Sequence, residues 1–289
     1  MTIKASSPAK LNVFLEILSR RGDGFHELET VMLRTSLCDT ITFALRSDPD
    51  INLHLHEDSC RISADAFPLN ESNLIVRAAR LMQKQTGCTS GADITVSKQI
   101  PAEAGLAGGS SNAATTIRQL NSLWGTSLSE DALHALAEQL GSDINFLLSG
   151  HRAAVCHGRG EKVEPIALKG EFWFVAMKPV QGNRTQDVFQ NSTVPETPMS
   201  AKTVGNALTA GDPLSLRQHC FNRLTSAARE VNPSMARMMD DVKQICQNSV
   251  FMSGSGSTCF VVVDDEFAAN SLQAKLTLET DFRTWVLKC

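Results

Sequence analysis

The sequence predicts an α+β chain of two domains, and three observations carry that prediction. The first hundred residues are dominated by strand-like segments with one helical pattern among them. A glycine-rich run at 101–111 then opens into helical material, and a short connector from Pro165 to Gly170 precedes a second series of strands and helices. The boundaries this implies are 1–165 and 166–289.

Each element has a local cause. Leu11 to Leu18 and Thr40 to Leu45 are rich in β-branched and apolar residues, and Ala92 to Val96 alternates, as strands do. From Asn73 to Met82 the apolar positions recur at helical spacing, with Ser72 or Asn73 as the cap and Gly87 beyond the end. After the glycine run, Ala113, Ile117, Leu120 and Trp124 share a helix face that Gly125 terminates. Ser127 and Glu130 have capping-box spacing for a following helix, whose stripe is Leu133, Leu136 and Leu140 before Gly141. Phe172 to Met177 reads as a strand, Asn191 to Ala201 as a polar connector, and the chain through Cys246 as helical. Met252 to Ser257, a second serine and glycine run, leads into the apolar strand 258–263.

Composition narrows the function classes. A chain of 289 residues is long enough to bury a conventional core. A formal charge of −4 and the lack of any long Lys/Arg block argue against nucleic acid or an anionic membrane as partner. Met1 to Lys10 has no leader-like apolar core, and no apolar run nears the roughly 20 residues needed to cross a bilayer, so the expected location is cytoplasmic. The eight cysteines show no CxxC or zinc spacing and read as reduced thiols, Cys259 as a buried strand residue. His54 and His56 alternate along a strand and read as solvated.

The run Pro101-Ala102-Glu103-Ala104-Gly105-Leu106-Ala107-Gly108-Gly109-Ser110-Ser111 is built to hold phosphate. Its glycines allow positive φ and close approach, and Ser110 or Ser111 is positioned to cap the helix that follows. The first amides of that helix, with the positive end of its dipole, favour an anion. The sequence fits neither the Walker A pattern nor the dinucleotide fingerprint. Downstream, Asp143 in Gly141-Ser142-Asp143-Ile144-Asn145-Phe146 is a carboxylate among apolar residues, either a cap or a group for chemistry. The second glycine run reads as a hairpin turn or as a loop set against the first.

Three separated blocks, Pro8-Ala9-Lys10-Leu11-Asn12, Pro101 to Ala114 and Met252 to Val263, resemble the three motifs of the GHMP kinases. With Gly22-Asp23-Gly24-Phe25-His26, the stretch from Asn73 and Gly141-Ser142-Asp143, the resemblance is to the branch that uses a cytidine diphosphate alcohol, and it runs from about residue 7 to 263. It implies a ribosomal-protein-S5 domain-2-like N-terminal domain and a ferredoxin-like C-terminal one. The activity implied is phosphoryl transfer from ATP, with Mg²⁺, to the 2-hydroxyl of 4-diphosphocytidyl-2-C-methyl-D-erythritol, a step toward isoprenoid precursors outside the mevalonate route. The protein implied is a monomer or homodimer.

The same resemblance implies roles by position. Asp143 would be the general base and Lys10 would orient the hydroxyl. Residues 101–111 would wrap the ATP phosphates, with Asn73 and Lys98 on the adenine side; no motif fixes the metal ligands, and the hydroxyls of Ser110 and Ser111 are there to bond phosphate or a metal. Asn12, Phe25, His26, Thr185 and Phe189 would bind substrate, the two phenylalanines stacking on cytosine and His26 reaching its hydrogen-bonding edge. The chain departs from the family pattern at Ala102-Glu103-Ala104 and Ala107, where glycines are common, and at Asn145, where proline is common. Glu103 is expected to point to solvent. Two other readings stand beside this one: a GHMP kinase for another small alcohol such as mevalonate or homoserine, and a nucleotide-binding regulator without catalysis.

Overall fold

The computed structural model describes residues 1–60 and 66–289. The chain opens with β1 (Thr2–Arg20), β2 (His26–Arg46) and β3 (Ile51–Leu55), followed by α1 (Leu74–Thr86), β4 (Gly91–Ser97), α2 (Gly108–Leu123), α3 (Glu130–Glu138) and α4 (Ile144–Ser149). Then come β5 (Ala153–Gly158), β6 (Lys162–Pro165), β7 (Trp173–Lys178), α5 (Thr185–Gln190), α6 (Lys202–Ala210), α7 (Pro213–His219) and β8 (Phe221–Asn222). The chain finishes with α8 (Thr225–Val231), α9 (Pro233–Cys246), β9 (Phe251–Met252), β10 (Cys259–Val263), α10 (Glu266–Glu279) and β11 (Arg283–Lys288).

Two compact units result: Met1–Ala9 with Leu37–Ala102 and Ala107–Gly150, and Lys10–Ser36 with Glu103–Leu106 and His151–Cys289. The strands β1 and β2, of 19 and 21 residues, contribute to both units. They extend well past the apolar runs 11–18 and 40–45, because pairing along their length carries polar residues into the sheet.

In the first unit β3 runs parallel to β4, which pairs antiparallel with residues 40–46 of β2. Ile41, Phe43, Ile94 and Val96 are buried in β2 and β4, as are Ile75, Ala79, Met82, Ala113, Ile117 and Leu120 in α1 and α2, two helices that pack on each other. Asn73 caps α1, its side chain accepting from the Ile75 amide at 3.0 Å, and Gly87 ends the helix in the left-handed region. The cap of α3 is Ser129 rather than Ser127, which adopts φ 52° in the preceding turn. No serine caps α2: Ala107 occupies the cap position at φ 55°, and Ser110 and Ser111 lie inside the first turn.

In the second unit residues 28–33 of β2 pair antiparallel with β5, and Phe14 and Leu15 of β1 pair parallel with β8. A separate four-stranded antiparallel sheet has the order β11-β7-β10-β9. Its core joins Val175, Met177 and Val261 to Met235, Met238 and Val242 of α9. Cys259 is fully buried in β10, and burial pushes its thiol up, which leaves it inert.

The polar stretch 191–201 is stitched down by two carboxylates of the long strands, the buried Glu16 and the half-buried Glu29. Glu16, fully buried, accepts from the Met199 amide at 3.0 Å and from both sides of the Arg223 fork at 2.7 Å, while Glu29 accepts from the Ala201 amide at 3.0 Å. Burial alone would raise the Glu16 carboxyl, but the bonds from Arg223 and from the Met199 and Ile17 amides outweigh it and hold the group below its ordinary value of 4.5. A folded-state value below the unfolded one means stability that is complete above about 4.5 and is lost as the pH falls through the lowered value. Arg223→Ala is expected to cost about 3–5 kcal/mol by stranding the buried carboxylate. Glu16→Gln should flatten the dependence of stability on pH in the acid range; urea titrations across that range measure both effects.

Candidate active site

In the first unit the glycine run ends by starting α2. Ser111 is the first residue whose amide bonds within the helix, to the Ala107 carbonyl at 2.8 Å, so the amides before it face the helix entrance. No acidic side chain lies in this first turn to compete with an anion. Gly108 is required by contact: a Cβ there would stand 2.9 Å from Ile100 Cγ2 and 3.3 Å from Lys98 Nζ. Ser111 is buried, whereas Ser110 is half-buried and Gly109 exposed.

Lys98 is buried with an ion-pair partner that its sequence neighbourhood does not reveal, Asp39 of β2. Its ammonium also donates to Asn112 Oδ1 at 3.0 Å and sits 5.6 Å from the Phe67 ring centroid. Asn73 is committed locally, its Nδ2 donating to the Pro68 carbonyl at 2.7 Å while its oxygen caps α1. Pro101 is buried beside the half-buried Ala102. Asp143 stands at the N-cap position of α4, yet its side chain makes no capping bond, which separates it from a structural cap. Asn145, in the second helical position where proline is also tolerated, leaves the helix start undisturbed and meets His134 Nδ1 at 3.0 Å.

In the second unit the two glycine runs interlock around Lys10. Lys10 is 3% exposed; its ammonium donates to the Gly105 carbonyl at 2.9 Å and to Asn12 Oδ1. Ser253 Oγ donates to that same Gly105 carbonyl at 2.9 Å and accepts from the Asn12 amide at 3.1 Å. The Thr258 amide reaches the Ala104 carbonyl at 3.1 Å, and the Lys10 amide the Leu106 carbonyl at 3.1 Å. Gly105 is irreplaceable on two counts, with φ at +69° and a Cβ position only 2.1 Å from the Ser253 carbonyl. Both readings of the second run hold within this unit: it joins the antiparallel β9 and β10 and lies against the first run. Asn12 Nδ2 donates to Thr30 Oγ1 at 2.8 Å, so its amide is oriented as well as buried.

The departures from glycine are accommodated by strain. Glu103 and Ala107 both take positive φ, 50° and 55°, a conformation that costs residues with a Cβ about 1–2 kcal/mol. Glu103 is exposed, as expected, and its side chain lies over Gly182, where a Cβ would come within 2.6 Å of its own. Burial lowers the Lys178 ammonium below its ordinary value and the Glu103 charge opposes that lowering, an interaction no sequence motif signals.

The aromatic group Phe25, His26 and Phe189 belongs to the second unit. Phe189 stacks on His26, with centroids 5.3 Å apart and planes at 29°. Phe25 is 51% exposed and carries the Arg159 guanidinium 5.0 Å from its ring centroid. Burial and the nearby Arg20 charge lower the His26 imidazole, which favours its neutral form. Thr185 is exposed at the start of α5, its hydroxyl 2.9 Å from Ser255 Oγ. Sequence reasoning missed Asp39 and Arg159 and gave Ser253 no role of its own, although it marked the run that carries it; Asp39 offered a signal as an acidic residue just ahead of a strand-like run.

Comparison with known proteins agrees with this architecture. The family model for the GHMP kinases N terminal domain matches residues 73–158, and that for the GHMP kinases C terminal matches residues 204–280. A 4-diphosphocytidyl-2-C-methyl-D-erythritol kinase of Shouchella clausii is 35% identical over 274 residues, covering 94% of this chain and 89% of its own length. One of Polaromonas naphthalenivorans is 37% identical over 260 residues, covering 90% and 85%. A crystal structure of 4-(cytidine 5'-diphospho)-2C-methyl-D-erythritol kinase superimposes with a TM-score of 0.80 at 29% identity, over 99% of this chain and 98% of that one. A homoserine kinase from Cytophaga hutchinsonii shares the fold, with a TM-score of 0.71 at 15% identity over 99% and 94%. The chain belongs to the GHMP kinase family, on the branch of the 4-diphosphocytidyl-2-C-methyl-D-erythritol kinases.

Proposed function

We propose that this protein transfers the γ-phosphoryl group of ATP to the 2-hydroxyl of 4-diphosphocytidyl-2-C-methyl-D-erythritol, a step toward isoprenoid precursors outside the mevalonate route. The observation that carries this reading is Lys10: a buried ammonium tied to the carbonyl of a phosphate-type glycine loop and to an oriented asparagine. A buried lysine is costly unless its charge is used, and phosphoryl transfer uses it.

In this mechanism Asp143 accepts the proton of the attacking hydroxyl while Lys10 orients that hydroxyl and stabilises the negative charge on the transferring group. Residues 101–111 hold the triphosphate through their backbone amides and the entrance of α2, with Asn73 and Lys98 lining the adenine side. Among the described residues no group of three or more His, Cys, Asp or Glu side chains is arranged for a metal. A hard cation carried with the triphosphate suits such a site, since Mg²⁺ keeps several waters and takes few protein ligands. Ser110 and Ser111 are the hydroxyls available to it, and the charge neutralisation it supplies favours departure of ADP. Phe25 offers an exposed face to cytosine, His26 its ring nitrogen, and Asn12, Thr185 and Phe189 complete the substrate side. The two domains of this reading are 1–165 and 166–289, and the protein acts in the cytoplasm as a monomer or homodimer.

Asp143→Asn is expected to keep ATP affinity and lower kcat by about 10² to 10⁴, the range for losing a general base; single-turnover rates within a few-fold of wild type would refute the assignment. Phe25→Ala is expected to weaken CMP binding by about 1–3 kcal/mol, the worth of one base stacked on an aromatic ring, while Phe25→Tyr is tolerated. Calorimetric titration of CMP checks this, and ADP release with a panel of alcohols separates this substrate from mevalonate and homoserine.

A further inference from the structure

Five buried polar side chains of the first unit form a continuous chain of hydrogen bonds ending at α2. They are Lys98, Asp39, Asn112, Ser7 and Ser111, none more than 3% exposed. The family roles assigned above use only the two ends of this chain, Lys98 and Ser111. An apolar residue of similar size would fasten α2 to the sheet as well, because a buried ion pair seldom outperforms a packed hydrocarbon. What a polar chain adds is direction.

That direction follows from donor and acceptor chemistry alone. The Lys98 ammonium only donates, and the Asp39 carboxylate only accepts. Asp39 takes the Gln99 and Ile100 amides on Oδ1, at 2.7 and 2.9 Å, and Lys98 with Asn112 Nδ2 on Oδ2, the latter at 2.9 Å. Its acceptor positions are filled. Asn112 lies between these charges, so its oxygen must face Lys98 and its amide nitrogen must face Asp39; the flipped amide would set N–H against ammonium. The same nitrogen donates to Ser7 Oγ at 2.9 Å. Ser7 therefore accepts from Asn112 and gives its own proton to Ser111 Oγ at 2.8 Å. Ser111 is left as an acceptor toward Ser7, with its own proton directed elsewhere in the first turn of α2.

We infer that Asp39, Asn112 and Ser7 are positioning residues for nucleotide binding: they fix the Lys98 ammonium and pre-set Ser111 as a hydrogen-bond donor to a phosphate oxygen at the entrance of α2. The inference rests on the reading of 101–111 as the ATP loop. Ser7 lies on the same strand as Lys10 but has a separate task.

Ser7→Ala removes the link to Ser111 together with one acceptor of Asn112 Nδ2, while the bonds among Asp39, Lys98 and Asn112 remain, so it is the variant of choice; Ser7→Thr keeps the hydroxyl. Binding of a non-hydrolysable ATP analogue and of CMP is titrated calorimetrically on each protein, beside its melting temperature. Ser7→Ala is expected to weaken the analogue about tenfold, the scale of one hydrogen bond to a charged group, with CMP affinity unchanged, a small drop in melting temperature from the orphaned Asn112 amide hydrogen, and Ser7→Thr restoring the analogue. Ser111→Ala should show a similar loss, and the double variant should lose no more than either single one. Analogue affinity unaltered by Ser7→Ala, in a wild type that binds it, overturns the inference. A parallel fall in both affinities with a lowered melting temperature overturns it too, by showing a fastening role alone. A wild type that binds CMP but no ATP analogue overturns the ATP reading, and this inference with it.

Discussion

The interlock at Gly105 is the constraint on which the second unit's part of the site depends. One carbonyl receives both the Lys10 ammonium and the Ser253 hydroxyl at 2.9 Å, and the glycine carrying it lies so close to the Ser253 carbonyl that no side chain fits. Two segments nearly 150 residues apart in sequence are thereby fixed to a third, the strand bearing Lys10 and Asn12. A lysine in such a place cannot wander, and a fixed charge costs no reorganisation when negative charge develops beside it.

Buried charge serves two distinct purposes in this protein. Glu16 and Arg223 fasten an irregular segment, with the carboxylate also taking the Met199 and Ile17 amides, and their effect is on stability. Asp39 and Lys98 lie where β2 and the start of α2 meet, and their neighbours are hydroxyls and an amide whose hydrogen-bond directions they dictate. The first is a clamp, and the second sets polarity at a helix entrance that already favours anions.

Strain is concentrated where the glycine run lacks glycine. Glu103 and Ala107 adopt left-handed backbone that a Cβ disfavours, and they persist because the surrounding bonds over-determine the loop. Asn145 shows the opposite case, since the second position of a helix accepts asparagine and proline alike.

Local pattern alone determined much of this protein. Helical spacing with Asn73 and Gly87 marked α1, alternation marked β4, the apolar run marked β10, and the glycine run announced a loop opening into α2. Lys10, Asp143 and the pair Phe25-His26 were singled out through the resemblance of their blocks, and their roles belong to the proposed function. The tertiary structure decided the rest, because it turned on partners distant in sequence. It showed that Ala107 rather than a serine begins α2, that Ser129 rather than Ser127 caps α3, and that Phe189 stacks on His26. It also supplied Asp39, 59 residues from the lysine it neutralises, and Ser253, 241 residues from the amide it accepts from. Periodicity and capping are short-range effects that a sequence displays directly, whereas the pairing of buried polar groups is settled only when packing removes water and leaves each donor the acceptors within reach.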